Sequence, residues 1–324
     1  EEARLAALRS RQTISLVVTA DGGKEKVLPL AQVLDVHFPH RTSLVAKGLY
    51  YEGNVWALLH DGPRKSNTEG GVFPAIFGTV MMVLIMSALV TPLGVLAAFY
   101  LREYARQGTF VSAVRIAVNN LAGVPSIVFG VFGVGFFIYF VGGSIDRLFF
   151  AESLPTPTFG TGGILWASLT LALLTVPVVV VATEEGLAAV PRVVREGSLA
   201  LGATKFETLL RVVLPAALPG VLTGLILAMA RAAGGVAPLM IVGMVKLPPT
   251  LPLDGESPFL HLERKFMHLG FHIYDVGFQS PNVEAAAPLV FATTALLIGI
   301  VVSLNLPAIL LRNRLRTRVA GRGI

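Results

Sequence analysis

Residues 196–215 read EGSLALGATKFETLLRVVLP, and this stretch decides the fold. It lies between two long apolar runs, carries charges of both signs, and ends at Pro215, which opens the second run. Gly202 separates two helix-like parts, as expected of a sharp turn. The stretch therefore predicts a compact helix-turn-helix on one membrane face, and its partly apolar surface is typical of an element that inserts into a partner's groove.

The composition on either side of this loop is that of a membrane protein. Of the 324 residues, 54% are hydrophobic and only 14% are charged, against roughly 25% charged residues in a soluble domain. The charges are separated by long charge-free intervals, and a helix needs roughly 20 apolar residues to cross a bilayer. We predict five membrane spans within the charge-free intervals 72–101, 116–145, 153–183, 212–230 and 285–311.

The basic residues indicate the orientation of the chain. The net charge of +6 comes largely from Arg and Lys in the segments 102–115, 192–211 and 312–322. The alternate loops, 142–160 and 246–284, hold few of them, so the positive-inside rule predicts a cytoplasmic C-terminus. This distribution favours a membrane over nucleic acid, and the basic tail, 312–324, is expected to bind anionic lipid headgroups.

The same orientation places residues 1–71 outside the membrane. The chain begins at Glu1 and shows no signal peptide, so we expect a preceding transmembrane helix. The alternating run Thr13–Thr19, followed by Asp21-Gly22-Gly23, predicts a strand and a turn. The predicted fold is therefore an all-α polytopic membrane protein whose membrane domain covers 72–311, with a small N-terminal extramembrane α/β domain.

The second predicted span carries the polar segment 119-NNLAGVPSIVFG-130. Its Asn residues and Pro-Ser break are costly in lipid unless they face protein or water. Asn120, Pro125 and Ser126 either line a substrate pathway or belong to a tight helix contact, because the glycines also permit close approach. Both interpretations remain open from these residues.

The fourth predicted span contains Arg231, the one charge that we expect to be buried. Translocon scales put an Arg near the bilayer centre at roughly 2.5 to 3.5 kcal/mol. A continuous helix over 214–245 would be about 48 Å long, too long for one straight crossing. We therefore expect Gly234, Gly235 and Pro238 to break the helix, and Arg231 to face a pathway or a partner subunit.

Three segments of the chain resemble known motifs in their family order. The spacing of Glu196, Gly202 and the final Val-x-Leu-Pro resembles the EAA loop of ABC-importer permeases, with Gly197 and Ser198 in place of two alanines. The segments 119–130 and 231–239 are similar to those of phosphate-specific (Pst-type) permeases, in particular the PstA-type family. Gly235 stands where that family has Glu, so Arg231 either attracts an anion in transit or pairs with an acid on a partner subunit.

The resemblance implies a type I ABC importer permease fold and a permease subunit of an ATP-driven phosphate importer in the bacterial inner membrane. The expected partners are a second permease of PstC type, a pair of ATP-binding subunits of PstB type, and a periplasmic phosphate-binding protein of PstS type. The loop 184–213 would couple to the ATPase. The residues that the resemblance assigns to this coupling are Glu196, Gly202, Ala203, Lys205, Leu214 and Pro215.

The sequence carries no signature of an enzyme. It lacks a phosphate-binding Gly-x-x-x-x-Gly-Lys-Ser/Thr loop, a Ser-His-Asp arrangement and any Cys, so ATP hydrolysis is assigned to a partner chain and no cofactor is expected. His268 and His272 have the spacing of zinc ligands but no second ligand pair, which argues against a metal site. A secondary transporter or channel for an anion, a permease for another oxyanion, and a non-transporting scaffold remain alternatives.

Overall fold

The computed structural model describes residues 15–19, 25–29, 43–64, 67, 69–255, 257–280 and 283–320, and divides the chain into two compact units, 1–56 and 57–324. In the first unit, strand β1 (Ser15–Thr19) pairs antiparallel with β2 (Glu25–Pro29), with Val17 opposite Val27. The predicted strand is confirmed, whereas the turn predicted at 21–23 lies outside the described residues. Helix α1 (Leu44–His60) begins in this unit.

Among the described residues of the second unit, helices alternate with loops, and a short ladder joins β3 (Pro63–Arg64) to β4 (Glu69–Gly70). In chain order, its further α-helices are α2 (Phe73–Phe99), α3 (Thr109–Leu121), α4 (Ser126–Phe132), α5 (Gly143–Phe149), α6 (Ile164–Ala188), α7 (Arg192–Ala200), α8 (Lys205–Thr208), α9 (Leu214–Gly234), α10 (Leu239–Val242), α11 (Leu269–Phe278) and α12 (Val283–Ala320). Wider π-helical turns occupy Tyr100–Tyr104, Gly133–Gly142 and Leu209–Val213, and Ala151–Ser153 forms a 3₁₀ turn.

Five helices of the described chain are long and apolar enough to cross a membrane, as predicted. We number them spans 1 to 5: Phe73–Tyr104, Ser126–Phe149, Ile164–Ala188, Lys205–Gly234 and Ala286–Thr317. Span 3 lies at the centre of the core and packs against spans 1 and 4. Small residues bring these helices together: a Cβ on Gly94 would lie 2.6 Å from Val179 Cγ1 in span 3. Such close approach is the usual basis of helix packing in lipid.

Span 2 differs from the prediction at its start. Helix α3 ends at Leu121, residues 122–125 form a break, and the membrane helix begins at Ser126. Proline lacks a backbone N–H and disfavours a helical conformation in the residue before it, so Pro125 separates two helices that share one charge-free interval. Asn119 and Asn120 therefore lie in the last turn of α3 and not inside span 2.

Spans 3 and 4 also extend further than predicted. Span 3 continues to Ala188, so Glu184 and Glu185 are helical, and Glu184 forms an ion pair of 3.1 Å with Arg115 of α3. Span 4 begins at Lys205, ahead of Pro215, because the π turn before α9 carries the helix up to the proline. The predicted break after Arg231 is confirmed: α9 ends at Gly234.

Candidate functional site

Arg231 lies in the last turn of α9 and reaches the break between α3 and span 2. Its Nη2 donates to the carbonyl oxygen of Ala122 across 3.5 Å, a long hydrogen bond. Ala122 follows Leu121, which packs on the main core together with Val124. Two segments more than 100 residues apart in the chain, both singled out by their sequence, therefore meet at this guanidinium.

A second contact joins the same two segments. A Cβ on Gly130 would lie 2.8 Å from Pro238 Cα and 3.0 Å from its carbonyl oxygen, so span 2 passes directly against the start of α10. Because a side chain would not fit there, this glycine has a packing role. One end of segment 119–130 is therefore a tight helix contact, and the other end lies beside a cation.

Of the predicted pathway residues, Asn120 and Pro125 are exposed and Ser126 is half-buried. No hydrogen bond in the described chain joins their side chains to Arg231. The guanidinium is itself half-buried, and no acidic residue pairs with it among the described residues. A Cβ on Gly235 would meet only ordinary contacts, the shortest 3.4 Å from the Arg231 carbonyl oxygen. The backbone therefore leaves room for a Cβ at this position.

The prediction that Arg231 is the one buried charge is wrong. Asp146 and Asp275 are only 1% and 2% exposed. The Asp146 carboxylate accepts the N–H groups of Phe159 and Gly160 at 2.8 and 2.6 Å, and Asp275 forms an ion pair with Lys246 at 2.8 Å. Both acids lie within the predicted loops 142–160 and 246–284, and their burial depends on distant partners that sequence patterns do not reveal.

The predicted helix-turn-helix is confirmed by the local geometry of the loop after span 3. Helix α7 starts directly after Pro191, and Gly202 adopts a φ of +87° between α7 and α8. The side chain of Thr204 caps α8 reciprocally with Glu207, so the second helix has a firm start. We call residues 189–208, from the end of span 3 to the end of α8, the coupling loop.

The coupling loop is fixed to the end of span 1. Glu103, in the π turn of span 1, pairs with the Arg195 guanidinium, and its carbonyl oxygen accepts a hydrogen bond from Lys205 Nζ. The same ammonium lies 5.0 Å from the centroid of the Tyr104 ring. The role of Glu103 was not predicted from the sequence, although an acid among the basic residues of the segment 102–115 could have indicated an ion pair.

Ser198 gives a physical reason for one departure from the Glu-Ala-Ala pattern. Its hydroxyl lies 2.9 Å from that of Thr208, so a hydrogen bond links α7 to α8 across the turn. An alanine could not form this bond. At Gly197, by contrast, an added Cβ would meet nothing within 4 Å, and an alanine would fit.

Apolar side chains are exposed on the same loop. Leu201, beside the turn, is 91% exposed, and Val193 and Phe206 are 76% and 63% exposed. Glu196 is exposed on α7, and Ala203 is half-buried at the turn. Of the last two predicted coupling residues, Leu214 is half-buried and Pro215 is exposed at the start of α9. A rigid turn with apolar tips suits insertion into a complementary groove.

The loop between spans 4 and 5 contains two buried histidines. Burial lowers the pKa of His268 and of His272 to about 4, so both rings are neutral at pH 7. His268 caps the start of α11: its Nδ1 accepts the N–H of Gly270, in the first turn of the helix. Within the described residues, no group of three His, Asp or Glu side chains could hold a metal ion.

The comparison with protein families decides the classification. The family described as binding-protein-dependent transport system inner membrane component matches residues 90–321. The chain belongs to this family. The match covers the break at 122–125, Arg231 and the whole coupling loop, so the features described above lie within the part of the chain that defines the family.

Individual members of the family are named as phosphate transport permeases. The phosphate transport system permease protein PstA of Mycobacterium leprae (strain TN) is 34% identical over 218 residues, which are 67% of this chain and 64% of that protein. PstA 1 of Mycobacterium tuberculosis (strain CDC 1551 / Oshkosh) is 36% identical over 58% of this chain and 56% of its own. The chain thus spans less than two thirds of the length of these relatives.

Solved structures confirm the predicted type I ABC importer permease fold. A chain of the MetNI methionine ABC transporter in an inward-facing conformation matches with a TM-score of 0.54 and 18% identity, covering 82% of this chain and 98% of that one. A bacterial ABC transporter that imports the polysaccharide alginate matches with a TM-score of 0.52 and 14% identity, covering 74% and 78%. These similarities concern the fold alone.

Proposed function

We propose that this chain is a permease subunit of an ATP-driven importer of inorganic phosphate. The observation that carries the proposal is the half-buried Arg231 guanidinium, without an acidic partner among the described residues, beside the backbone break at 122–125. A guanidinium presents several N–H donors in a planar fork that matches a phosphate group. Similarity to phosphate transport permeases supports phosphate as the anion.

In this proposal the break forms one wall of the path and the guanidinium provides the attraction. Asn120, Pro125 and Ser126 line the path beside Arg231. The missing acid at position 235 leaves the positive charge free to interact with an anion in transit. Because the contact to Ala122 is long, an arriving phosphate could replace it at little cost.

The coupling loop is proposed as the contact with an ATPase. Glu196, Gly202, Ala203 and Lys205 form its docking surface, while Leu214 and Pro215 pass movement into span 4. The ion pair of Arg195 with Glu103 ties this surface to span 1 as well. The chain itself is proposed to be non-catalytic, with ATP hydrolysed by a partner pair of ATP-binding subunits.

The further parts of the proposal concern assembly and orientation. A second permease completes the path, and a periplasmic phosphate-binding protein delivers the anion. The chain lies in a bacterial inner membrane, with residues 1–71 outside as an extracytoplasmic domain, 72–311 as the permease domain and the basic tail 312–324 in the cytoplasm. The location of the Arg and Lys residues supports this orientation.

Uptake of ³²P-labelled phosphate by proteoliposomes that contain the whole assembly tests this function. We expect ATP-dependent accumulation, and a reduction of about tenfold or more in Arg231→Gln, because one charge-assisted interaction is lost. Arg231→Lys keeps the positive charge but lacks the planar fork of N–H donors, so its uptake rate should lie between those of the wild type and Arg231→Gln. Arg106→Gln, an exposed matched control, should behave as wild type.

Three outcomes would contradict the proposal. Equal uptake with and without ATP would indicate a secondary transporter or channel. Uptake of another oxyanion in place of phosphate would make the chain a permease for that anion. Unchanged transport in Arg231→Gln would remove Arg231 from the path.

A further inference from the structure

A cavity of about 480 Å³, which Arg231 does not line, lies where the end of span 3 meets the start of α9 and the C-terminal part of α12. Pro191 lines it from the side of the coupling loop, and Arg312 and Arg316 line it from α12. The volume falls in the usual range of ligand sites. None of the roles proposed above uses this cavity.

The helix crossing beside the cavity explains why space remains there. A Cβ on Gly220 would lie 2.5 Å from Gly186 Cα, so spans 3 and 4 touch at their backbones. Two glycines at the crossing contribute no side chain to the adjoining space. The cavity is therefore built by the packing of helices and is not a gap between flexible side chains.

Both charged groups at the cavity are cations. Arg312 and Arg316 are four residues apart on one helix, so they lie on the same face and repel each other. Within the described chain neither forms an ion pair, and the hydrogen bond of Arg312 goes to Asn313 Oδ1 at 3.5 Å. The described residues that line the cavity include no acid. An anion placed between the two guanidiniums would relieve their repulsion and gain hydrogen bonds from both.

We propose that this cavity binds a phosphate group, either as part of an anionic lipid headgroup or as free inorganic phosphate. Arginine is the side chain best suited to this group, because its planar N–H fork matches two phosphate oxygens. The bound group would lie between α12 and Pro191, which directly precedes the first helix of the coupling loop. An occupant is therefore placed to stiffen the joint between the C-terminal helix and the loop.

Binding to the full chain in phosphatidylcholine nanodiscs tests the site, with three variants that each remove one charge from α12. Arg312→Gln and Arg316→Gln change the cavity, whereas Arg314→Gln is the matched control, since Arg314 does not line it. Native mass spectrometry measures bound phosphatidylglycerol. Calorimetric titration measures inorganic phosphate, in an Arg231→Gln background that removes the proposed pathway site. Thermal unfolding of each variant checks its folding.

A lipid site predicts phosphatidylglycerol binding about tenfold weaker in Arg312→Gln and Arg316→Gln and unchanged in Arg314→Gln. A free-phosphate site predicts the same pattern in the titration. If Arg314→Gln weakens binding as much as the other two, the attraction belongs to the whole basic tail and the cavity site is refuted. Equal binding by all variants in both assays would refute it too. Neither assay requires transport. The binding results can therefore be interpreted even if the proposed import function, on which they do not depend, is wrong.

Discussion

Arg231 has a position that suits an unpaired cation. It lies in the last turn of α9, where the free carbonyl groups of the helix end stabilise positive charge by about 0.3 to 1 kcal/mol. That stabilisation offsets part of the cost of partial burial without an acidic neighbour. In the proposed function, the guanidinium therefore keeps donors available for a transported anion, and the absence of an acid at Gly235 preserves this state.

The buried rings of His268 and His272 predict that the stability of the loop between spans 4 and 5 depends on pH. Their pKa in the folded chain is about 4, below the usual 6.5. Between pH 4 and pH 6.5, the unfolded loop therefore binds more protons than the folded loop. Stability should therefore be constant above pH 6.5 and fall as the pH drops toward 4, by up to about 3 kcal/mol per ring. Hydrogen exchange of α11 measures this loss.

The variant His272→Phe serves as the control for this pH dependence. It removes one titrating ring and should therefore reduce the loss of stability between pH 6.5 and pH 4. Asp275 and Lys246 remain beside the site in this variant. Equal protection of α11 at pH 7 and pH 4.5 in the wild-type chain would show that the buried rings do not govern the loop.

At the scale of elements, charge-free intervals predict the number of spans correctly because a charge inside lipid is costly. They fail at the start of span 2, since the end of α3 and the break after it, residues 116–125, carry no charge and so belong to the same charge-free interval as the span. Gly202 and Gly235 were predictable as interruptions from backbone freedom alone. The attachments made by Asp146 and Asp275 were not, because each depends on a partner brought near by tertiary packing.

The close contact between spans 3 and 4 at Gly220 predicts that a larger side chain there destabilises the fold. Gly220→Leu should force the two helices apart, because even its Cβ would approach Gly186 Cα to 2.5 Å. We expect a destabilisation of about 1 to 3 kcal/mol from overpacking. Thermal unfolding in detergent measures it.

Gly299→Leu is the matched control for this contact, since a Cβ at Gly299 would meet nothing within 4 Å. It should leave the unfolding temperature unchanged. Equal stability of both variants would mean that the close approach at Gly220 does not hold the two spans together.

At the scale of the whole molecule, the proposed orientation places the coupling loop and the loop 246–284 on opposite membrane faces. The chain contains no Cys, so single substitutions give a clean test. Leu201→Cys should react with an impermeant maleimide only in inverted vesicles, and Leu247→Cys only in intact cells. Both leucines are exposed in this chain, and vesicles that lack the ATP-binding subunits leave Leu201 uncovered. Labelling of both from the same side would overturn the topology.

In the proposed function, the coupling loop links ATP hydrolysis on a partner subunit to the movement of phosphate past Arg231. The most direct measurement is ATP-dependent phosphate uptake by the reconstituted assembly carrying Gly202→Leu, with Gly197→Ala as the control. At Gly202 the φ of +87° disfavours a side chain by about 1 to 2 kcal/mol, so the turn must rearrange. We predict that the Gly202→Leu complex inserts into the membrane and assembles but loses ATP-dependent phosphate uptake. Uptake at the wild-type rate would show that this loop does not couple ATP hydrolysis to transport.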